Sequence, residues 1–302
     1  MAASRSLPPE ANAGADTDVD VHIRGLTGMA NVLDAVATAL AEAGIRPGLP
    51  SHWSTLRLCC ALSGGVDSVV LLDALDTLRR RPGSGFTLEA AHVHHGLHPA
   101  ADAWQEFCGE LCRARDIPLH VFRVDVEREY PDGLEAAARA ARHTALAQVA
   151  CDWLALGHHR DDQAETVLFR LLRGTGVRGA AAMGAVEPAN TPGRAGRLRP
   201  LLEVGRDAIL AYARARALTW IEDTSNTDPR FTRNDLRHRI LPAIETRFPA
   251  ARATLARAAT HFREAAGLLD DLAGMDATRC ASMEDQHKTF RRDALLDLTP
   301  AR

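Results

Sequence analysis

Two glycines and two serines interrupt an otherwise apolar run in LCCALSGGVDSVVLLDAL, residues 58–75, and no other stretch restricts the fold as strongly. Leu58 to Leu62 is short, continuous and apolar, as in a strand covered on both faces, while Val69, Leu72, Asp73 and Asp76 begin a helical period. The connection between them must be tight. Gly64 and Gly65 admit positive φ without a Cβ clash, and the following helix offers unpaired N–H groups and the positive end of its dipole. Ser63-Gly64-Gly65-Val66-Asp67-Ser68 therefore reads as an anion cradle with two hydroxyls and a carboxylate.

From about residue 57 short apolar runs alternate with amphipathic helical patterns: 57–62 then 68–80, 87–95 then 101–115, 118–126 then 134–150, and 153–159 then 161–173. This alternation predicts an α/β fold, a parallel, Rossmann-like sheet with helices on both faces and ligands at the carboxyl edge of its strands. A helix at about 29–44 precedes the sheet. The stretch from 174, GTGVRGAAAMGAVEPANTPGRAG, is rich in Gly, Ala and Pro and reads as a mobile loop. A last αβ piece at about 197–223, a polar turn and long helical patterns from 234 to about 273 complete the chain, which is read as a disordered tail (1–25), a catalytic α/β domain (26–233) and a smaller, mainly helical unit (234–302).

The identity of the anion follows from what the turn lacks. A kinase-type phosphate loop requires G-x-x-x-x-G-K followed by Ser or Thr, and a dinucleotide loop G-x-G-x-x-G; neither is present. Backbone N–H groups, two hydroxyls and Asp67 suit a pyrophosphate and its Mg²⁺. A second constellation, GHHRDDQAET at 157–166, follows the strand from Trp153 to Leu156 and opens a helix. Asp162 and Glu165 are three apart and share a helix face near its positive end, where carboxylates are favoured and can help to hold a metal ion; His158 leaves the strand toward the same edge. Asp161 reads as a helix cap. The histidines of HVHHGLH (His92, His94, His95 and His98) alternate across a strand and so do not converge on a metal. In GLEAAARAARHTAL, residues 133–146, Leu134, Ala137, Ala138, Ala141 and Ala145 form a buried stripe, with Glu135 and Arg139 paired on the other side.

The net charge of −3 gives no global attraction to nucleic acid, yet residues 170–216 hold nine arginines against three acids, a local basic patch. Lys288 is the only lysine, so an amine nucleophile in the active half has to come from a substrate. Six cysteines lie in strand- or helix-like segments and read as reduced thiols; no two have CxxC spacing, and no apolar run approaches the length of a membrane span.

The set SGGVDS, HVHHGLH, GLEAAARAARH, GHHRDDQAET, RPLLEVGR and WIEDTSNTDPRFTRNDLRHRILP resembles the tRNA(Ile)-lysidine synthetase family of PP-loop ATPases (N-type ATP pyrophosphatases) in order and spacing across about residues 57–248. The resemblance implies a cytoplasmic ligase that uses ATP and Mg²⁺ to adenylate the C2 oxygen of the wobble cytidine in a CAU-anticodon isoleucine tRNA. Free L-lysine then displaces AMP to give lysidine. It further implies ATP contacts from Ser63, Gly64, Gly65, Val66, Asp67 and Ser68, and metal contacts from Asp67 and Asp162. Roles near the cytidine and lysine are implied for His158, Asp162, Glu165 and Glu135, with Arg139, Arg199 and Arg233 as further substrate or phosphate contacts. The helical unit becomes a linker and partial tRNA-binding domain, and a homodimer is compatible with the pattern. A PP-loop enzyme that thiolates tRNA and a non-catalytic RNA-binding module on the same scaffold are the alternatives.

Overall fold

The computed structural model describes residues 15–45, 56–127, 133–222, 232–284 and 287–299. The chain runs α1 (Ala15–Glu42), β1 (Leu56–Ala61), α2 (Val66–Arg79), β2 (Phe86–His94), α3 (Ala101–Arg113), β3 (Leu119–Arg123), α4 (Leu134–Leu146) and β4 (Trp153–Ala155). It continues through α5 (Arg160–Leu172), α6 (Val177–Ala180), β5 (Val186–Glu187), β6 (Gly196–Leu198) and α7 (Arg206–Ala215). After α8 (Thr232–Asp235) come a π-helical turn (Leu236–Ile240), α9 (Leu241–Arg247), α10 (Ala251–Cys280), the hairpin β7 (Ala281–Glu284) and β8 (His287–Phe290), and α11 (Arg292–Leu296). Two compact units result: one takes the described residues of Met1–Arg160 and Ala185–Asn226, the other those of Asp161–Gly184 and Thr227–Arg302.

The first unit holds a six-stranded sheet of order β3-β2-β1-β4-β6-β5, parallel except for the edge strand β5. Central β1 is buried on both faces, which is why its sequence is an unbroken apolar run: Leu58 and Cys60 enter the larger core with α2, while Cys59 enters a smaller one with Ala91 and Leu154. From β1 the chain builds outward through β2 and β3, then returns to lay β4 on the opposite side of β1. The switch point therefore lies between the carboxyl ends of β1 and β4, where open parallel sheets bind ligands. The turn at 63–68 leaves one of these ends and residues 156–160 leave the other.

Helix α2 is buried nearly all round, carrying Val69, Val70, Leu71, Leu72 and Leu75 into the core together with Asp73 and Asp76. A buried carboxylate requires partners. Asp73 accepts from the Tyr212 hydroxyl at 2.9 Å and from Arg216 at 3.0 Å, with Arg115 at 3.3 Å, tying α2 to α3 and α7. Burial beside Asp73 pushes the Tyr212 phenol above its ordinary pKa. Helix α1 packs on α7, and at Gly28 a Cβ would stand 2.9 Å from that of Ala211.

Two boundaries differ from expectation. Residues 15–25, taken as tail, are the first turns of α1; the acidic residue types there are those that helix N-termini favour, and only 1–14 of the expected tail lie outside the described residues. The stretch from 174 is ordered. Gln163 exchanges hydrogen bonds with Met183 at 2.8 and 3.1 Å, and Arg170 donates to the Gly179 and Ala182 carbonyls at 2.9 and 3.2 Å, partnerships that composition does not reveal. Residues 161–184 group with the C-terminal helices, and Arg263 of α10 donates to the Ala181 and Met183 carbonyls. The polar turn after 222 lies outside the described residues as far as 231.

Tyr212→Phe removes a buried donor to a charged acceptor and should lower unfolding stability by about 1–3 kcal/mol in a urea titration.

Candidate active site

The turn at 63–68 is held by its own side chains. The Ser68 hydroxyl donates to the Gly65 carbonyl at 2.9 Å, accepts from the Ser63 amide at 3.2 Å and lies 3.1 Å from the Ser63 hydroxyl, while the Gly65 amide donates to Ser63 Oγ at 3.4 Å. Gly64 takes φ +90°, and a Cβ there would collide with Ile221 Cδ1. The Ile221 amide in turn donates to the Gly64 carbonyl at 2.9 Å. Gly65 is the N-cap of α2 and no side chain caps that helix. The serines thus brace the turn, and the first amides of α2 are left for an anion.

Behind the turn, buried His92 uses Nδ1–H to donate to the Leu62 carbonyl at 2.9 Å, fixing the end of β1; burial holds its pKa below the ordinary histidine value. Half-buried His95 is pushed down to about 4, chiefly by burial and next by the Arg142 guanidinium. His98 stacks on Trp104, with ring centroids 4.6 Å apart. His94 Nε2 lies 3.2 Å from Asp102 Oδ1.

Asp67 lies in the first turn of α2 with 30% of its side chain exposed. His159 Nε2 is 3.7 Å from one carboxylate oxygen and Arg206 Nη1 is 3.8 Å from the other. The backbone of the 156–160 segment approaches closely: a Cβ on Gly157 would be 3.2 Å from the Asp67 carbonyl and the Ser68 amide. The histidine at Asp67 is therefore His159, only 2% exposed and not among the expected site residues; His158, expected near the cytidine and lysine, is half-buried next to it in the chain. Arg206 was not among the expected site residues either.

In the second unit Asp162 and Glu165 do share a face of α5, and their partner is Arg237. Arg237 Nε donates to Glu165 Oε1 at 2.6 Å, and Nη2 donates to Glu165 Oε2 at 2.9 Å and to Asp162 Oδ1 at 2.8 Å. Glu165 is 3% exposed, so this two-pronged pair satisfies a buried charge. Arg237 sits in the π-helical turn, a feature that is frequent at functional sites and re-aims a side chain relative to a regular helix. Arg252 braces it from α10, donating to the Arg237 carbonyl at 3.4 Å, to Asp161 at 3.3 Å and to Glu245 at 3.0 Å. Asp161, expected as a cap, is thus also an ion-pair partner. Arg233 lies half-buried in α8, one turn upstream of Arg237.

The remaining expected residues separate. Arg199 is 6% exposed and its Nη1 meets Glu187 at 2.8 Å, next to the β5–β6 pair. Arg139 is half-buried on α4; the side chain of Glu135 lies outside the described residues. As a fit for Mg²⁺, Asp67 supplies one accessible hard oxygen donor beside the uncapped amides of α2, consistent with an ion that takes one or two carboxylates and shares the substrate's phosphates.

A braced glycine turn at the switch point of a parallel sheet, with an aspartate in the first turn of an uncapped helix, defines the class: the chain belongs to the PP-loop domain family, whose model matches residues 41–244. Among individual proteins it is similar to the tRNA(Ile)-lysidine synthase of Azoarcus sp. (strain BH72), 60% identical over 224 residues that cover 74% of this chain and 49% of the relative. The tRNA(Ile)-lysidine synthase of Aromatoleum aromaticum is 57% identical over 246 residues, covering 82% and 56%. The chain thus spans about half the length of the curated relatives it matches. In fold alone it is similar to the solved U34-tRNA thiolase NcsA from Methanococcus maripaludis with its 4Fe-4S cluster (TM-score 0.64, 19% identity, 79% of this chain and 80% of that one). No helix among the described residues is long and apolar enough to cross a membrane.

Two substitutions test this geometry. Gly64→Ala forces a side chain into a left-handed conformation at a cost of about 1–2 kcal/mol before the contact with Ile221 is counted, and should weaken nucleotide binding out of proportion to its effect on thermal unfolding. Arg237→Ala strands a buried carboxylate; allowing for the guanidinium's partial exposure, it should cost about 2–4 kcal/mol in denaturant unfolding.

Proposed function

We propose that the chain carries the catalytic half of a tRNA(Ile)-lysidine synthetase: ATP-dependent attachment of free L-lysine to C2 of the wobble cytidine in a CAU-anticodon isoleucine tRNA, in the cytoplasm. The observation that carries this reading is the braced 63–68 turn within a chain 57–60% identical to proteins of that name over most of its length. The C2 oxygen of cytidine attacks the α phosphorus of ATP, pyrophosphate leaves, and the ε-amine of lysine then attacks C2 with departure of AMP.

Each step asks something of this chain. The α2 amides and the positive end of that helix receive the phosphates, acting where charge accumulates on the leaving pyrophosphate. Asp67 is the residue assigned to Mg²⁺, which when bound offsets phosphate charge. Buried His159 stands beside the Asp67 carboxylate, its Nε2 3.7 Å from one oxygen. Asp162 and Glu165, bonded to Arg237, are the acids assigned to the amine, and Arg233 is assigned to phosphate, where a planar five-donor group is useful. Because the only lysine of the chain is Lys288, the amine comes from outside.

Incubation of the full chain with labelled lysine, ATP, Mg²⁺ and bacterial tRNA decides between the readings. Label recovered in RNA as lysidine supports the synthetase; sulfur incorporation would favour a thiolating enzyme, and RNA retention without AMP release a binding module. Asp67→Ala should lower tRNA-dependent AMP formation by about a hundredfold or more while tRNA retention on a filter changes less than about twofold. Undiminished AMP output from that variant would remove Asp67 from the mechanism.

A further inference from the structure

The absence of the phosphate-loop lysine leaves an unanswered question: which cation accompanies the phosphates? We infer that Arg206, the first residue of α7, is the loop's cation and contacts the β and γ phosphates of the nucleotide, an inference that rests on the reading of 63–68 as a phosphate loop.

Three observations carry it. First, Arg206 stands at the N-terminus of α7 (N-cap Gly205, no side-chain cap), where the helix dipole disfavours a cation, so the stability of α7 does not explain an arginine there. Second, its Nη1 lies 3.8 Å from Asp67 Oδ2, beyond hydrogen-bond length; its side chain is 46% exposed, and among the described residues no hydrogen bond commits it elsewhere. It is a cation held beside the loop and able to turn. Third, the surroundings are rich in positive groups. The Arg160 amide donates to the Val204 carbonyl at 3.0 Å, and a Cβ on Gly205 would collide with the Arg160 guanidinium. Arg160 Nε is buried and has no hydrogen-bond partner among the described residues. The Arg206 guanidinium, the uncapped amino ends of α2 and α7 and, against Gly205, the Arg160 guanidinium are thus donors at this edge, with Asp67 and Asp207 as the acids in the first turns of the two helices; phosphate oxygens are acceptors that such donors can take.

The contact differs from a structural ion pair in its consequences. A guanidinium that reaches the terminal phosphates should leave binding of a monophosphate untouched, whereas one that merely props up α7 or Asp67 should affect every nucleotide alike. The test is calorimetric titration of the full chain, with Mg²⁺ and without tRNA, using ATP, inorganic pyrophosphate and AMP as separate probes. For Arg206→Gln we expect pyrophosphate and ATP to bind about tenfold more weakly or worse, AMP to bind within about twofold of wild type, and Arg206→Lys to recover most of the loss, as befits a charge-assisted contact. Wild-type pyrophosphate affinity in Arg206→Gln overturns the inference, as does a parallel loss of AMP affinity or no recovery with lysine. A wild-type chain that binds pyrophosphate at this loop but forms no lysidine would defeat the functional reading and leave this inference standing.

Discussion

The left-handed turn at Gly64 is the constraint on which the candidate site depends. With φ at +90° and the Ile221 side chain packed where a Cβ would be, position 64 accepts only glycine, and the Ile221 amide closes on the Gly64 carbonyl from a segment more than 150 residues downstream. The bend turns the chain from the end of β1 straight into α2, and the serine hydroxyls are used inside the turn. In the proposed reading the phosphates meet backbone amides first, which have no rotamers to fix and so lose little entropy on binding.

That bend also explains the burial of α2. A helix that starts directly behind the central strand is surrounded by sheet, α1, α3 and α7, so its polar face has nowhere to meet water. Asp73 is consequently satisfied by Tyr212, Arg216 and Arg115 from other elements, and Asp76 by Arg79 and Arg80 at the end of its own helix; the bonds to Asp73 hold the helix whose amino end forms the candidate site. Stability of the core and placement of the phosphate amides are one problem with one solution.

What the sequence made legible was local. The turn, the alternation of strands and helices and the pairing of Asp162 with Glu165 on one helix face all follow from spacings of a few residues. Pairings over long separations were not legible: Arg237 reaches Glu165 across 72 residues, and Tyr212 reaches Asp73 across 139. The short antiparallel β5, which supplies the Arg199 partner Glu187, has too few residues to announce itself. The 174–184 stretch misled because Gly and Ala content reports backbone freedom and is blind to Gln163 and Arg170, which remove it.

The arginines divide by distance. Arg237 and Arg199 hold acids at 2.6–2.9 Å with those acids or themselves buried, the lengths of pairs that define a framework. Around Asp67 the neighbouring His159 and Arg206 stand off at 3.7 and 3.8 Å. The backbone on either side is fixed, Asp67 by the turn and the close approach of Gly157, and the start of α7 by the bond from Arg160 to Val204, while the exposed Arg206 side chain is uncommitted by a hydrogen bond among the described residues and can turn. Framework pairs are closed at hydrogen-bond length, and the pairs at the candidate site are not.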